Sequence, residues 1–184
     1  SATFFGIAHN IPDATAIILQ TPVGNIIHTG YFKIDYDEKD IVNSALTSFK
    51  KKLQPAFNST SILTLYISFI FCPGKDNKNG YSALEIAKAT VGVLNEIVPE
   101  SVPGIAFLSG GLSDEAATAY LSAMNQQYNG RLPWNLTFSF GRGLQSQPLK
   151  AFAKGDIEEA QRILLKRSEE TSLATLGKYE LVKA

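Results

Sequence analysis

The sequence predicts an α/β protein with a parallel sheet, preceded by an N-terminal β-hairpin. Three observations lead there. From Ile62 onward, short apolar runs alternate with amphipathic stretches in the order strand, helix, strand, helix, strand, helix. Such alternation is the signature of parallel strands joined by helical crossovers. The apolar runs VPGIAFLSGG (Val102 to Gly111) and LTFSFGRGLQ (Leu136 to Gln145) each run into glycine before a helical pattern. Finally, 45% of the 184 residues are hydrophobic and 18% are charged, which suits a globular core.

The elements follow in order. Thr3 to Ala8 reads as a short strand. Ala14 to Gln20 and Asn25 to His28 read as two more, with Thr21-Pro22-Val23-Gly24 between them. Proline and glycine at that spacing make a turn, so Ala14 to Thr29 is expected to be a hairpin ended by Gly30. Asp40 to Leu53 has Val42, Ala45, Leu46, Phe49 and Leu53 on one helical face, with Asp40 as its cap and Lys50 to Lys52 at its C-terminal end. Ile62 to Phe71 is β-branched, aromatic and almost wholly apolar, which predicts a strand covered on both faces. Cys72-Pro73-Gly74 ends it. Ser82 and Glu85 form a capping box ahead of a stripe of Leu84, Ala87, Val91, Leu94 and Val98, closed by Pro99. A strand is expected at Ile105 to Leu108 and a helix from Ser113 to Asn125, with Ala116, Ala119, Tyr120 and Ala123 facing inward. Trp134 sits beside a strand at Leu136 to Phe140. A short helix covers Leu144 to Ala153. Asp156 and Glu159 cap a last helix reaching Ser172, with Ile157, Ala160 and Leu164 inward, and the tail GKYELVKA is expected to be mobile. No repeat occurs at a fixed period.

Lysine plus arginine equals aspartate plus glutamate, 17 each, which gives no support to a nucleic-acid or membrane-surface role. The single cysteine, Cys72, cannot form an internal disulfide and is expected to be a buried, inert thiol. The opening SATFFGIAHN lacks the basic start and long apolar run of a signal peptide, and Ile62 to Cys72 is too short to span a bilayer. A cytoplasmic protein is the expectation.

The candidate site lies at the two glycine-ended strands, since ligands of parallel α/β proteins sit at the carboxyl ends of strands. Gly110 and Gly111 allow a tight turn that brings backbone N–H groups to an anion. Ser113, followed by Asp114 and Glu115, reads as the cap of the next helix, whose N-terminus adds partial positive charge. Arg142 closes the second strand with a planar fork suited to phosphate oxygens. The competing reading is that the glycines only turn a corner and Arg142 pairs with a surface carboxylate.

Two resemblances add to this. TFFGIAHNIPDATAIILQTPVGNIIHTGYFKID resembles a segment of ribonuclease J, a metallo-β-lactamase-fold nuclease of the beta-CASP group, over about the first 35 residues. It implies that His9 matches a zinc-binding histidine. The bridging aspartate of that family is Tyr31 here, and its upstream histidine cluster is absent. With only His9 and His28 in the chain, a site of three or four ligands is not supplied, so no metal is expected. His9 then reads as a loop histidine bonded to backbone and His28 as a strand histidine.

The stretch from Tyr81 to Tyr179 resembles the C-terminal part of class I fructose-bisphosphate aldolase, through YSALEIAKATVGVLNEIVPESVPGIAFLSGG, LPWNLTFSFGRGLQ and a closing helix with GKYE. The resemblance implies the last units of a (β/α)8 barrel, so the fold expected is a partial (β/α)8-barrel-like parallel sheet with helices. It also implies that Ser109, Gly110 and Gly111 bind one phosphate of a sugar bisphosphate, joined by Ser139, Gly141 and Arg142, and that Tyr179 begins a flexible tail. The family forms a Schiff base on a strand lysine, and by its spacing that position is Ile67 here, with Lys75 the nearest lysine beyond the strand. Asp35, Asp37 and Glu38 are acidic but read as solvent-facing. No catalytic residue and no cofactor is therefore expected, and phosphosugar binding without aldol cleavage is the leading reading.

The expected organisation is a hairpin segment at 1–36, a helix and loop at 37–61, and aldolase-like units at 62–184. Because the two resemblances belong to unrelated folds, a chimeric (spliced), truncated or artificial chain is the expectation. The alternatives are a remnant of a metal-dependent hydrolase, or a non-catalytic interaction chain that self-associates through open sheet edges.

Overall fold

The computed structural model describes residues 1–6, 14–30, 50–51, 53–54, 62–67 (backbone alone), 80–109 and 111–180. Within these, six strands form a single sheet in sequence order: β1 (Ala2–Gly6), β2 (Thr15–Thr21), β3 (Gly24–His28), β4 (Ile62–Ile67), β5 (Gly104–Phe107) and β6 (Asn135–Phe138). Four helices accompany them: α1 (Ala83–Ile97), α2 (Asp114–Gln127), α3 (Arg142–Phe152) and α4 (Ile157–Thr175).

The hairpin forms where the turn signal put it. β2 and β3 pair antiparallel across Pro22 and Val23, with Thr21 opposite Gly24. Thr21 Oγ1 donates to the Gly24 carbonyl at 2.6 Å and closes the turn. The hairpin is not a separate layer, however. β1 pairs antiparallel with β2, and β3 pairs parallel with β4, so the sheet is mixed rather than parallel throughout. Ile18 and Ile27 join the same core as the helices. From β3 to β6 every pairing is parallel. The sheet is open, with β1 and β6 at its edges. Of the helix expected over Asp40 to Leu53, only its end is described: Lys50, Lys51, Leu53 and Gln54 are helical and Leu53 is buried.

Each helix start has the chemistry its sequence specifies. Ser82 Oγ accepts from the Glu85 N–H at 3.2 Å while Glu85 Oε2 accepts from the Ser82 N–H at 2.8 Å, a complete capping box. Those bonds hold the Glu85 carboxyl below its usual range. Ser113 Oγ accepts from the Ala116 N–H at 3.1 Å, and Asp156 Oδ1 from the Glu159 N–H at 3.0 Å. The core lies between the sheet and these helices, around Val91, Leu94, Ile105, Phe107, Leu121 and Met124. α1 packs on α2, α2 on α4, and α4 on α3. Trp134 is buried and its Nε1–H donates to the Pro99 carbonyl at 2.8 Å, tying the entry of β6 to the exit of α1.

Three expectations about faces are corrected. Leu84 is 42% exposed, and α1 instead buries Ile86, Thr90, Val93 and Ile97 with the predicted Ala87, Val91 and Leu94. On α2 the fully covered residues are Ala117, Ala119, Leu121 and Met124; Tyr120 and Ala123 pack at the margin. On α4, Ile157 and Leu164 are 55% and 43% exposed, and the inner face is Ala160, Arg167, Thr171 and Ala174. Arg167 is drawn inward because buried backbone carbonyls await it, which outweighs the pull of leucine toward the core.

The tail is also corrected: it is docked as far as Tyr179. The Lys178 N–H donates to the Leu173 carbonyl at 2.9 Å. Ser122 Oγ accepts from the Tyr179 N–H at 3.1 Å and donates to the Tyr179 carbonyl at 2.8 Å. Gly177 makes this return possible. Its φ is +66°, and a Cβ there would stand 2.6 Å from the Gln126 nitrogen. Substituting Gly177 with alanine is therefore expected to lower unfolding stability by about 2 kcal/mol or more, since left-handed strain adds to a backbone clash. Denaturant titration reads this directly; a loss below about 0.5 kcal/mol would mean that the docked tail contributes nothing to the fold.

Candidate functional site

The parallel register sets the site. Phe107 of β5 lies opposite both Ile67 of β4 and Phe138 of β6, so the carboxyl ends of three strands finish in one row. The Ser139 N–H donates to the Phe107 carbonyl at 2.8 Å and carries the ladder one step further. The segments that follow β5 and β6 therefore leave the sheet side by side. Of the residues singled out by sequence, Ser109, Gly111, Ser139, Gly141 and Arg142 all fall on these two segments; Gly110 lies outside the described residues.

After β5, the Ser109 carbonyl accepts from the Leu112 N–H at 3.2 Å, and Gly111 has φ +84°, so this is a tight turn. α2 begins two residues later. Its N-terminus is already closed by the Ser113 side chain, and its first turn carries Asp114 and Glu115. Both features oppose an incoming anion: the cap occupies a donor and the carboxylates repel. The positive end expected at α2 is thus not offered to a ligand.

After β6 the arrangement is the reverse. Gly141 is the N-cap of α3, with no side-chain cap and no acidic residue in the first turn. Among the described residues, the N–H groups of Arg142 and Gly143 have no protein acceptor, and the Arg142 guanidinium makes no ion pair or hydrogen bond. Arg142 is exposed. An uncapped helix start, free N–H groups and a free guanidinium together form a donor-only surface. The pairing of Arg142 with a surface carboxylate is not found among the described residues.

The two segments meet through Gly143. It is buried, and a Cβ there would stand 3.3 Å from Ser109 Oγ and 3.2 Å from Phe140 Cβ. A glycine lets Ser109 approach the first turn of α3, so its hydroxyl borders the same donor surface. Ser139 is exposed, and its N–H is committed to the ladder, which leaves its hydroxyl as the group it presents.

Arg167 was missed by sequence reading. Its side chain is buried among α2, α3 and α4. Nε donates to the Gly143 carbonyl at 3.2 Å, and Nη2 to the Asp114 carbonyl at 3.1 Å and Thr118 Oγ1 at 3.0 Å. Nη1 pairs with Glu170 Oε2 at 2.6 Å. Only its i, i+3 spacing to Glu170 could have hinted at a role. Tyr179 lines the groove beside Arg167 and Glu170. Burial, with the nearby Glu170 charge, raises its phenol above the usual value of 10.0.

His28 ends β3, and its Nδ1 accepts from the Gly30 N–H at 3.0 Å, as fits a strand histidine in a local turn. His9, Tyr31, Asp35, Asp37, Glu38, Cys72 and Lys75 lie outside the described residues. Among the described residues, no three His, Cys, Asp or Glu side chains gather as a metal cluster, and no helix is long and apolar enough to cross a membrane.

The family model for glycolytic, class-I fructose-bisphosphate aldolase matches residues 25–184. The chain belongs to that family. A probable class 1 fructose-bisphosphate aldolase of Xanthomonas axonopodis pv. citri is 44% identical over 110 residues, 58% of this chain and 32% of the relative. The cytosolic fructose-bisphosphate aldolase 4 of Arabidopsis thaliana is 46% identical over 110 residues, 59% of this chain and 28% of the relative. Among solved structures, the fructose-bisphosphate aldolase of Plasmodium falciparum, crystallised with TRAP and a small-molecule inhibitor, aligns with a TM-score of 0.62 at 32% identity, over 75% of this chain and 42% of that one. The chain thus spans about a third of the length of these curated relatives. The family match starts at Asn25, within the hairpin, and the likeness of the N-terminal segment to ribonuclease J gains no support from these proteins.

One pH effect follows from Tyr179. A phenol whose folded pKa is raised adds stability that is fully present below about pH 10, its unfolded value, and lost as pH rises through the higher folded value. Unfolding stability measured from pH 8 to 12 is expected to fall less steeply in Tyr179→Phe than in the native chain. Parallel curves would show that the phenol is fully solvated.

Proposed function

We propose that the aldolase-like units bind the phosphate of a phosphorylated sugar at the start of α3, without competent aldol cleavage. The observation that carries this is the donor-only surface at Gly141 to Gly143, with Arg142 beside it and Ser109 across from it. A phosphate dianion needs such donors and is repelled by carboxylates, which are found at the other helix start and not at this one. The relatives are named for fructose bisphosphate, which supports a phosphosugar as the ligand class. Ser109, Gly111, Ser139, Gly141 and Arg142 supply the described part of the grip, and Gly110, between Ser109 and Gly111 in sequence, is proposed with them. Schiff-base chemistry needs an amine, and the strand end that would carry it is Ile67, a hydrocarbon. A cytoplasmic location is part of this reading, as in the relative named cytosolic.

Calorimetry with fructose 1,6-bisphosphate, with borohydride trapping on the same sample, tests both halves. Binding without a covalent adduct is expected. Arg142→Ala should weaken affinity by about 10- to 100-fold, the worth of a charge-assisted contact. Equal affinity in the variant would end the phosphate-grip reading, and a trapped adduct would end the claim that the nucleophile is missing.

A second reading rests on the open sheet. β1 and β6 are the edges of the sheet. The outer Leu136 carbonyl of β6 already accepts from Asn125 Nδ2 at 3.3 Å. β1, which pairs with β2 alone among the described strands, is therefore the edge that offers backbone groups to another chain. Self-association through this edge is compatible with phosphate binding.

A further inference from the structure

We propose that Arg167 is a positioning residue for the anion site, holding the first turns of α2 and α3 at the separation that lets Ser109 and the α3 N–H groups face one ligand. This rests on the phosphate-grip reading.

Arg167 is 4% exposed, and a buried charge is retained only where it is paired and hydrogen-bonded. Glu170, on the same helix, supplies the pairing. That ion pair is local to α4 and could form on an exposed face. The remaining donors are spent differently: they reach carbonyls on two other helices, Gly143 in the first turn of α3 and Asp114 in the first turn of α2. Neither helix needs this donor in order to form. Its effect is to fix one helix start against the other.

The fixing matters because α3 packs mainly on α4, the helix that carries Arg167, so its placement against α2 is set through α4. The buried residues of α3 are Gly143 and Pro148, while Leu149 and Phe152 are exposed. A second polar tie between α2 and α3 is a surface bond from Gln147 Nε2 to Glu115 Oε1 at 3.3 Å. Gly143, whose carbonyl Arg167 grips, is also the residue that Ser109 approaches and a neighbour of Arg142. A shift of the first turn of α3 therefore moves three ligand-facing groups at once. A displacement of about 1 Å is enough to cost a binding constellation most of its effect. The planar fork is what spans two carbonyls; a lysine ammonium is a single point on a flexible stem and cannot hold both.

The test is Arg167→Lys, which keeps a cation beside Glu170, and Arg167→Met, which removes it. Three quantities are read on the intact chain: melting temperature, amide exchange at Ala117, Leu144 and Gln145, and affinity for fructose 1,6-bisphosphate well below the melting point. The expected result for Arg167→Lys is affinity weakened about tenfold, with faster exchange at those amides and native circular dichroism. Combined with Arg142→Ala, it should add little further loss, because both act on one grip. A lower melting temperature with unchanged affinity would make Arg167 a structural residue only and overturn the inference while leaving the phosphate grip intact. Absence of binding in the native chain would overturn the grip and this inference with it. Should Arg167→Met not fold, Arg167→Lys decides the matter alone.

Discussion

Parallel pairing from β3 to β6 is the constraint on which the rest of the molecule depends. A parallel neighbour cannot be reached by a tight turn, so a crossover must carry the chain back along the sheet before each new strand. Two of those crossovers contain α1 and α2, and their apolar faces become the core with Ile105, Phe107 and Leu136. The same rule sends every carboxyl end to one side. Side-chain polar groups then tie the layers. The Asn125 amide donates to the carbonyls of Leu121, Leu136 and Ala174 at 3.1, 3.3 and 3.2 Å, joining α2, β6 and α4 at one atom. The covalent order of the chain alone would not make those three elements meet.

Placing two helix starts side by side does not make them equivalent. Both present the positive end of a helix dipole. At α2 that end is neutralised from within, by the Ser113 hydroxyl and by Asp114 and Glu115. At α3 nothing in the chain neutralises it among the described residues, and Arg142 adds a full charge to the partial one. The stability that a serine cap would add over Gly141, on the order of a few tenths of a kcal/mol, is forgone there. A helix that gives up its cap beside a neighbour that keeps one has an N-terminus available to something outside the chain.

Much of this could be read before any coordinates. The capping signals at Ser82, Ser113 and Asp156, the hairpin turn and the strand–helix alternation are local, and local chemistry decided them. That Ser109, Gly111, Ser139, Gly141 and Arg142 follow two neighbouring strand ends was legible, because an apolar run that stops at glycine marks where a strand ends. The inner face of α4 was not. Periodicity favours Ile157 and Leu164 as core residues, but a helix on the outer layer turns toward whatever it must satisfy. Here that is the carbonyls of Gly143 and Asp114, which lie 24 and 53 positions from Arg167 in sequence. The docking of Tyr179 on Ser122 is a contact across 57 positions and leaves no local mark. Nor does a hairpin announce whether it stands apart or extends a sheet, since that depends on whether β3 meets β4.

The row Ile67, Phe107, Phe138 separates the two halves of the proposed reading, phosphate binding and covalent chemistry. The proposed phosphate grip is built from segments after β5 and β6, and each of its described groups lies at or beyond the carboxyl end of one of these two strands. In the proposed reading the Schiff-base position falls at the end of β4, where the backbone is in register but the residue is isoleucine. An isoleucine changes nothing in the β5–β6 ladder or in the start of α3. Binding at the grip requires donors and a fixed separation between two helix starts. Schiff-base cleavage requires, in addition, an amine. An isoleucine at the third strand end leaves the proposed grip physically untouched, which is why binding and trapping must be measured as separate properties of this chain.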